Sequence, residues 1–385
     1  MIACQRHLFD VPDDVAYFNC AAFSPILKAS RDAGMIGAGK KAQPWQLGKI
    51  EFQEEPDQAR KLFAKLIGAP PQDVAIVPAT SYGIATAAAN LPVKSGHRIV
   101  LLDDQYPNNV LPWIEKCERE GAELVFVARA EGDNLTSGVL EAIDERTAIT
   151  ALPHCFWTDG TLIDLVAVGA RCREVGAALV VDATQSVGAL PLDVAEIRPD
   201  FLVVSGYKWL LCPYTIGFLY VAPHRQGGMP LENAWSDRMQ TEGGSDWQNG
   251  HMHYPEGWQS GARRFNMGEA TNFIAMPMAI TAFKQLHAWT VSEINVSLRR
   301  ITETIIERTS NLGLIAPAKE YRAGHLTGLR LAAGSTCDNI EDIQQKLAEK
   351  HVYLSVRGDA LRIAPHLHVS DTDIDRLVFA LADTL

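Results

Sequence analysis

Two apolar runs, each followed at once by polar residues, constrain most strongly how this chain can fold. The first is Ala178–Val181, which Asp182 follows, and the second is Phe201–Val204, which leads through Ser205 to Lys208. Runs of valine and leucine without polar alternation predict strands buried on both faces of a parallel sheet. Because ligands of such sheets bind beyond the carboxyl ends of the strands, we expect Asp182 and Lys208 to face one crevice.

A carboxylate and an amine that share one crevice indicate a cofactor. Pyridoxal phosphate (PLP) needs a lysine for its Schiff base and an acid that keeps its pyridine nitrogen protonated. Taken singly, Asp182 fits a helix cap and Lys208 fits a solvated surface lysine. Their occurrence together favours a PLP site.

Strand-like apolar runs alternate with helical stretches from residue 73 to residue 221, and this alternation predicts an α/β fold. We expect a mostly parallel, seven-stranded sheet covered by helices. A helical stretch over residues 275–310 predicts a connector, and the strand-like runs after it predict a smaller α+β domain. The predicted division is a large PLP-binding domain over residues 15–278 and a small domain made of residues 1–14 and 279–385.

Charge and hydropathy exclude several classes of partner. The 385-residue chain has 35 basic and 46 acidic residues, a net charge of −11 and no dense block of lysine and arginine. We therefore expect a small-molecule partner rather than nucleic acid or an anionic membrane. The N-terminus lacks the apolar core of a signal peptide, and no apolar run approaches the ~20 residues that cross a bilayer. These features predict a cytoplasmic protein.

Cysteine and histidine spacing gives no metal site. The seven cysteines include no C-x-x-C pair, which is typical of reduced, mostly buried thiols. His251 and His253 flank a methionine, and His366 and His368 flank a leucine, but only Glu256 stands near the first pair. We interpret them as ordinary histidines and predict no metal.

Residues 34–41 match the G-x-x-x-x-G-K core of a nucleotide-binding loop but lack its context. Such a loop follows a buried strand and carries Ser or Thr after its lysine, whereas here the flank is helical and Lys41 follows. We interpret the match as accidental, with ATP binding as the alternative.

Residues 79–83, Ala-Thr-Ser-Tyr-Gly, are a candidate phosphate cradle. They follow a buried run and open a helix, where backbone N–H groups and the helix dipole favour an anion. Thr80 and Ser81 can add hydroxyl donors, although ordinary helix capping is the alternative. At the end of another strand, Tyr106 can stack on a pyridine ring, with an anchored loop aromatic as its alternative.

Six segments spread over nearly the whole chain resemble those of one enzyme family. They are Tyr17-Phe-Asn-Cys-Ala-Ala22, Tyr106-Pro-Asn-Asn-Val110, Val181-Asp-Ala-Thr-Gln-Ser-Val-Gly188, Ser205-Gly-Tyr-Lys208, Arg263-Arg-Phe-Asn-Met-Gly268 and Leu361-Arg-Ile-Ala-Pro-His366. The chain is similar to fold-type I PLP enzymes of the class V aminotransferase family, which includes cysteine desulfurases, kynureninases and isopenicillin-epimerase-like proteins. The D-x-x-Q segment together with S-G-x-K is the specific part.

The resemblance implies roles around the cofactor. Lys208 would form the Schiff base and move the proton at the substrate Cα, and Asp182 would pair with the pyridine nitrogen. Gln185 would donate to the phenolic oxygen of the ring, on which Tyr106 would stack. The phosphate would be held by Thr80, Ser81, Ser205 and Tyr207.

The resemblance also implies a substrate side and a homodimer. Arg362 would bind the substrate carboxylate, a role that suits a planar guanidinium, with a surface ion pair as the alternative. Asn19 and Ala22 belong to the N-x-A-A segment that the family places at the substrate pocket. Trp157 indicates a bulky or apolar pocket, with core packing as the alternative.

Two departures from the family pattern matter. Cysteine desulfurases carry a nucleophilic cysteine just before the carboxylate-binding arginine, but residues 353–362 contain none, and Cys337 stands well before them. Persulfide transfer is therefore disfavoured. Relatives also send a threonine across the dimer to the phosphate; here Glu269 would repel a phosphate, and Thr271 would take the contact.

The sequence thus predicts a PLP-dependent enzyme that acts at Cα of an amino acid through Lys208. An aminotransferase-like reaction is the first expectation. A lyase reaction of the kynureninase or C–S lyase type and an epimerisation stay open, because the cofactor supports all of them.

Overall fold

The computed structural model describes residues 1–129, 134–238, 257–332 and 340–385. Its thirteen strands fall into three sheets. The strands are β1 Ala16–Tyr17, β2 Val74–Val77, β3 Arg98–Leu102, β4 Glu123–Val127, β5 Thr147–Pro153, β6 Ala178–Asp182, β7 Phe201–Ser205, β8 Gly217–Val221, β9 Leu314–Ile315, β10 Thr327–Leu331, β11 Val352–Tyr353, β12 Ser355–Arg357 and β13 Ala360–Ile363.

Eleven α-helices are described in the same ranges, and most of them alternate with the strands of the first half. The helices are α1 Lys28–Ala42, α2 Glu55–Leu66, α3 Thr80–Asn90, α4 Leu111–Glu120, α5 Leu135–Ala142, α6 Leu165–Val175, α7 Val194–Ile197, α8 Ala275–Trp289, α9 Val291–Thr309, α10 Ile340–Glu349 and α11 Asp371–Ala382.

The largest sheet has seven strands in the order β2-β8-β7-β6-β5-β3-β4. Strand β8 is antiparallel to both of its neighbours, and the other pairs are parallel. Strands β6 and β7 are buried along their whole length, and they pair with Asp182 opposite Val203. The predicted α/β fold with a mostly parallel sheet is therefore confirmed, and both opening runs end at one edge of it.

The apolar runs are continuous because both faces of this sheet are covered. Successive side chains of a strand point to opposite faces. Val180 and Val203 pack into one apolar cluster, whereas their chain neighbours Val181 and Val204 pack into another on the opposite face. All four side chains are essentially inaccessible to solvent.

The C-terminal part forms a four-stranded antiparallel sheet in the order β12-β13-β10-β9. Strand β1 pairs in parallel with β11, so Ala16 and Phe18 pack in the apolar cluster of the C-terminal elements. The predicted division into domains at residues 14/15 and 278/279 stays a prediction. Ala16 and Phe18, which it assigns to the large domain, nevertheless pack against the C-terminal elements. The predicted connector is two helices, because the chain turns at Thr290, whose φ is +61°.

Several other sequence predictions concern features outside the sheets. Residues 34–41 lie within α1, so the described backbone there is a helix and not a phosphate-binding loop. In the described ranges, no group of acidic, histidine or cysteine side chains is placed to hold a metal ion. His251, His253, Glu256 and Cys337 lie outside these ranges. None of the helices that the structure describes is long and apolar enough to cross a membrane.

Candidate active site

A crevice beyond the carboxyl ends of β5, β6 and β7 gathers most of the predicted site residues. Pro153, Asp182 and Ser205 are the last residues of these strands, and all three line it. These residues lie together because β5, β6 and β7 are adjacent parallel strands, whose carboxyl ends lie at one edge of the sheet. The predicted residues in its lining are Thr80, Tyr106, Trp157, Asp182, Gln185, Ser205, Tyr207 and Lys208.

Lys208 and Asp182 are both buried, with 7% and 9% of their surfaces exposed. Burial lowers the pKa of Lys208 to about 8, and the charge of Asp182 opposes this shift. Burial also raises the pKa of Asp182, while hydrogen bonds from Thr184 and the charge of Lys208 favour its ionised form. A buried amine with a lowered pKa is a better nucleophile near neutral pH than a surface lysine.

Three hydroxyl groups form a cluster at the start of α3. Thr80 Oγ1 lies 2.8 Å from Thr184 Oγ1 and 2.7 Å from Ser205 Oγ, which also accepts from the Thr80 backbone N–H at 3.0 Å. The N-cap residue of α3 is Ala79, and its side chain makes no capping hydrogen bond. Thr80 and Ser81 therefore do not provide an ordinary side-chain cap for α3, and its first turn stays a candidate anion site.

Thr184 is a site residue that the sequence analysis missed. Its backbone N–H donates to Asp182 Oδ1 at 3.0 Å, and its hydroxyl accepts from the Ser205 N–H at 3.1 Å. The hydroxyl thus links the ends of β6 and β7. Its position could have indicated this role, because Thr184 lies within the D-x-x-Q segment, two positions after Asp182.

The side chain of Gln185 is held by two hydrogen bonds. Its Nε2 donates to the carbonyl oxygen of Ala21 at 3.0 Å, and its Oε1 accepts from Trp209 Nε1 at 3.0 Å. Gly188 ends the same segment with a φ of +104°, and a Cβ there would lie 2.3 Å from the carbonyl oxygen of Trp209. The glycine therefore permits the close approach that brings Trp209 beneath Gln185.

Aromatic side chains form one wall of the crevice. The rings of Tyr106 and Trp157 meet edge to face with centroids 5.5 Å apart. Lys208 Nζ lies 5.5 Å from the centroid of Tyr106 and 5.6 Å from that of Tyr207. The indole of Trp157 donates to the carbonyl oxygen of Asp104 at 2.8 Å, which fixes the ring against the loop that carries Tyr106.

Arg362 is buried beside this wall, with 2% of its surface exposed. Its Nη1 donates to the carbonyl oxygen of Trp157 at 2.9 Å, and its Nε donates to Ser355 Oγ at 3.1 Å. Its Nη2 is buried without a hydrogen-bond partner in the described structure. Burial and the charge of Arg357 lower the pKa of Arg362 to about 9. The alternative of a surface ion pair is wrong, and one guanidinium nitrogen has no hydrogen-bond partner among the described residues.

Besides Arg362, which lies beside the crevice, four predicted residues do not line it. Ser81 is exposed on the first turn of α3, and Thr271 donates to the carbonyl oxygen of Phe52 at 3.3 Å. Asn19 and Ala22 flank Ala21, whose carbonyl holds Gln185, and Asn19 Oδ1 is buried without a partner. Their roles stay predictions.

These side chains suit PLP. A buried amine, a buried carboxylate and a hydroxyl cluster at a helix start share one crevice, and an unpartnered guanidinium N–H lies beside it. Left in an empty apolar interior, such groups would carry a large desolvation cost.

Comparison with known proteins identifies the family. The sequence model described as Aminotransferase class-V matches residues 44–379. The chain belongs to this family, whose members are PLP-dependent enzymes. It is similar to an uncharacterized aminotransferase, YcbU, of Bacillus subtilis, at 28% identity over 86% of this chain and 84% of the relative. It is also similar to isopenicillin N epimerase of Streptomyces clavuligerus, at 26% identity over 84% of this chain and 83% of the relative.

Solved structures share the fold. One is a lysine-to-alanine variant of C-DES with glycine covalently linked to its PLP cofactor. The superposition covers 99% of this chain and 100% of the C-DES chain, with a TM-score of 0.88 at 22% identity. The superposition on a cysteine desulfurase from Thermococcus onnurineus covers 100% of this chain and 98% of the desulfurase, with a TM-score of 0.82 at 18% identity. The predicted fold-type I architecture, PLP dependence and class V aminotransferase-like enzyme function are confirmed.

Proposed function

We propose that Lys208 Nζ carries PLP in this crevice and that an amino acid binds with its carboxylate on Arg362. The observation that carries the proposal is the burial of Lys208 and Asp182 in one crevice beside the unpartnered Nη2 of Arg362. Asp182 would hold the pyridine nitrogen, and Gln185 would donate to the phenolic oxygen. The hydroxyl cluster of Thr80, Thr184 and Ser205, with the N–H groups of α3, would hold the phosphate, to which Ser81 and Tyr207 would also contribute.

Bound PLP supplies an electron sink for negative charge that develops at the substrate Cα. The chain supplies the positioning and the proton transfer. Arg362 fixes the carboxylate, and the ring of Tyr106 orients the cofactor by stacking. Lys208 takes and returns the Cα proton, which a lysine with a pKa of about 8 can do in its neutral form near neutral pH. Asn19, Ala22 and Trp157 would border the substrate side chain.

The reaction that we propose is an aminotransferase-like exchange, in line with the name of the Bacillus subtilis relative. Persulfide transfer is not supported by the described crevice. Cys155 carries the thiol in its lining, and burial raises the pKa of that thiol, so it stays protonated. Cys20, on the adjacent loop, is also buried, and its pKa is raised to about 12.

The first experiment compares two buried lysines. We expect the purified protein to absorb in the visible, to lose this band with borohydride and to gain the mass of reduced PLP on Lys208. Lys208→Ala should show neither the band nor the adduct at this position. Lys116→Met removes a buried lysine of α4 outside the crevice and should keep both. An unchanged spectrum in Lys208→Ala would refute the proposal.

The second experiment identifies the reaction by its products on a panel of amino acids. Keto acid formed only with an amino acceptor supports transamination. Sulfide or alanine released without an acceptor indicates a lyase. Exchange of the Cα proton with inversion of the substrate indicates an epimerase. The last two results would overturn the aminotransferase assignment while leaving the PLP site intact.

We also propose that the enzyme is a homodimer. Exposed apolar side chains gather where α1 packs on the start of α8, and Phe52 packs edge to face on Phe273 there. Thr271, on this surface, would reach the phosphate of the partner's crevice. The exposed side chains are Met35, Ile36, Trp45, Ile50, Phe52 and Ile274. Sedimentation should give twice the mass of one chain, and Ile36→Asp should shift the equilibrium to monomer.

A cytoplasmic location completes the proposal. The six cysteines in the described ranges, Cys4, Cys20, Cys117, Cys155, Cys172 and Cys212, form no disulfide, which suits a reducing compartment. Cell fractionation with alkylation before lysis tests it, and oxidised thiols in the native protein would contradict it.

A further inference from the structure

A second guanidinium group stands beside the wall of the crevice. Arg357 ends β12, which pairs with β13, the strand that carries Arg362. Its guanidinium carbon lies 5.9 Å from the centroid of the Trp157 ring, and Trp157 lines the crevice. Arg357 is half-buried, so part of its side chain is exposed to solvent.

Arg357 has no acidic partner within the described ranges. Its Nη1 donates to the carbonyl oxygen of the adjacent Val356 at 2.7 Å, and it makes no salt bridge there. Arg330, on β10 at the other side of β13, is different, because it pairs with both Asp159 and Asp359. The fold thus neutralises one arginine of this sheet and leaves the charge of Arg357 available.

The charge of Arg357 acts on Lys208 in the crevice and on Arg362 beside it. It helps to lower the pKa of Arg362 to about 9 and that of Lys208 to about 8. In the described lining, Asp182 is the carboxylate, and we assign it to the pyridine nitrogen. With the substrate carboxylate on Arg362, positive charge without an anionic partner remains at Arg357.

We propose that Arg357, supported by the Trp157 ring, is a second anion-binding position and that the preferred substrate is an amino acid whose side chain carries an anionic group. This inference rests on the proposed function, because it takes Arg362 as the site of the α-carboxylate. A planar guanidinium can donate two parallel hydrogen bonds to a carboxylate, and the Trp157 face stabilises the cation from the other side.

Ligands that cannot react give the cleanest test. Dicarboxylic acids from malonate to adipate lack an amino group, as do their monoamides, so binding to the holoenzyme is measured by calorimetry without turnover. The chain length that spans Arg362 and Arg357 should bind at least about tenfold tighter than its monoamide, because a charge-assisted hydrogen-bonded pair is lost in the amide.

Three variants separate this inference from the proposed function. Arg357→Met should bring the dicarboxylate and the monoamide to within about twofold of each other, and Arg357→Lys should restore part of the difference. Arg362→Met should weaken both ligands. Equal affinities in the unaltered enzyme, or a preference that survives Arg357→Met, would overturn the role of Arg357. Full binding of both ligands to Arg362→Met would instead refute the proposed carboxylate site.

Discussion

The indole N–H of Trp209 donates to Oε1 of Gln185 over 3.0 Å and so decides which way the amide of Gln185 faces. An amide with its oxygen held in this way turns its NH2 group in the other direction, where one hydrogen already bonds the carbonyl of Ala21. The second hydrogen of Nε2 is then free to donate to a ligand. Trp209, which directly follows Lys208, is thus a positioning residue for Gln185.

Trp209→Phe is expected to weaken the binding of PLP to the apoenzyme roughly three- to tenfold. The change keeps an aromatic ring but removes the N–H, and one neutral hydrogen bond contributes about 1 kcal/mol. Fluorescence titration of the apoenzyme with PLP measures the effect. The matched control is Gln185→Ala. If Trp209 acts through Gln185, adding Trp209→Phe to that variant should change the dissociation constant little, and full additivity of the two losses would refute the positioning role.

The rate at which the apoenzyme takes up PLP should depend on the ionisation of Lys208. The amine attacks only in its neutral form, and burial lowers the pKa of Lys208 to about 8. The rate should therefore rise with pH up to about 8 and level off above it. Stopped-flow absorbance of the developing visible band gives this profile.

The variant Asp182→Asn tests the direction in which the charge of Asp182 shifts the pKa of Lys208. The negative charge of Asp182 raises the pKa of Lys208, so its removal should lower this pKa further. The midpoint of the uptake profile should move to lower pH, even though the variant binds the cofactor less well. A midpoint that moves to higher pH would contradict the electrostatic coupling of the two residues.

Buried histidines near the junction of the two larger sheets should make the protein sensitive to acid. His366 packs among the rings of Phe9, Trp209 and Trp289, and burial lowers its pKa to about 3. Only the unfolded state takes up this proton between about pH 6.5 and pH 3, so the free energy of unfolding falls as the pH drops through this window. His366→Leu should reduce the loss between pH 7 and pH 5 by about 2 kcal/mol in chemical denaturation. An identical loss in both proteins would refute the assignment.

The packing of α1 on α8 gives a stability prediction with an internal control. A Cβ on Gly37 would lie 2.0 Å from the backbone carbonyl oxygen of Phe273, which cannot move without shifting the chain. Gly37→Ala should therefore lower the free energy of unfolding by about 2 kcal/mol or more. A Cβ on Gly34 would lie 2.6 Å from Sδ and 2.9 Å from Cγ of Met278, a flexible side chain that can shift, so Gly34→Ala should cost clearly less than Gly37→Ala. Equal effects of the two changes would contradict this difference.

The strand ends were predictable because their signal is local. A run such as Ala178–Val181 has no polar residue because each of its faces is covered, and the chemistry begins at the first position where the strand leaves the core. Asp182, Ser205 and Lys208 could be found in this way, and the family-like segments added Gln185 and Arg362. The break at Thr290 was missed, because both flanks are helical and the turn depends on one residue with positive φ.

The sequence by itself determined the sheet and the cofactor chemistry at its edge, because strand burial and strand-end polarity are written in consecutive residues. Only the tertiary structure decided how the pieces meet. The hydrogen bond from Arg362 to the carbonyl oxygen of Trp157 joins residues far apart in the chain. The hydrogen bond between the hydroxyl groups of Thr80 and Ser205 does the same. Such contacts depend on where separate elements pack, and no local pattern encodes the distance between them.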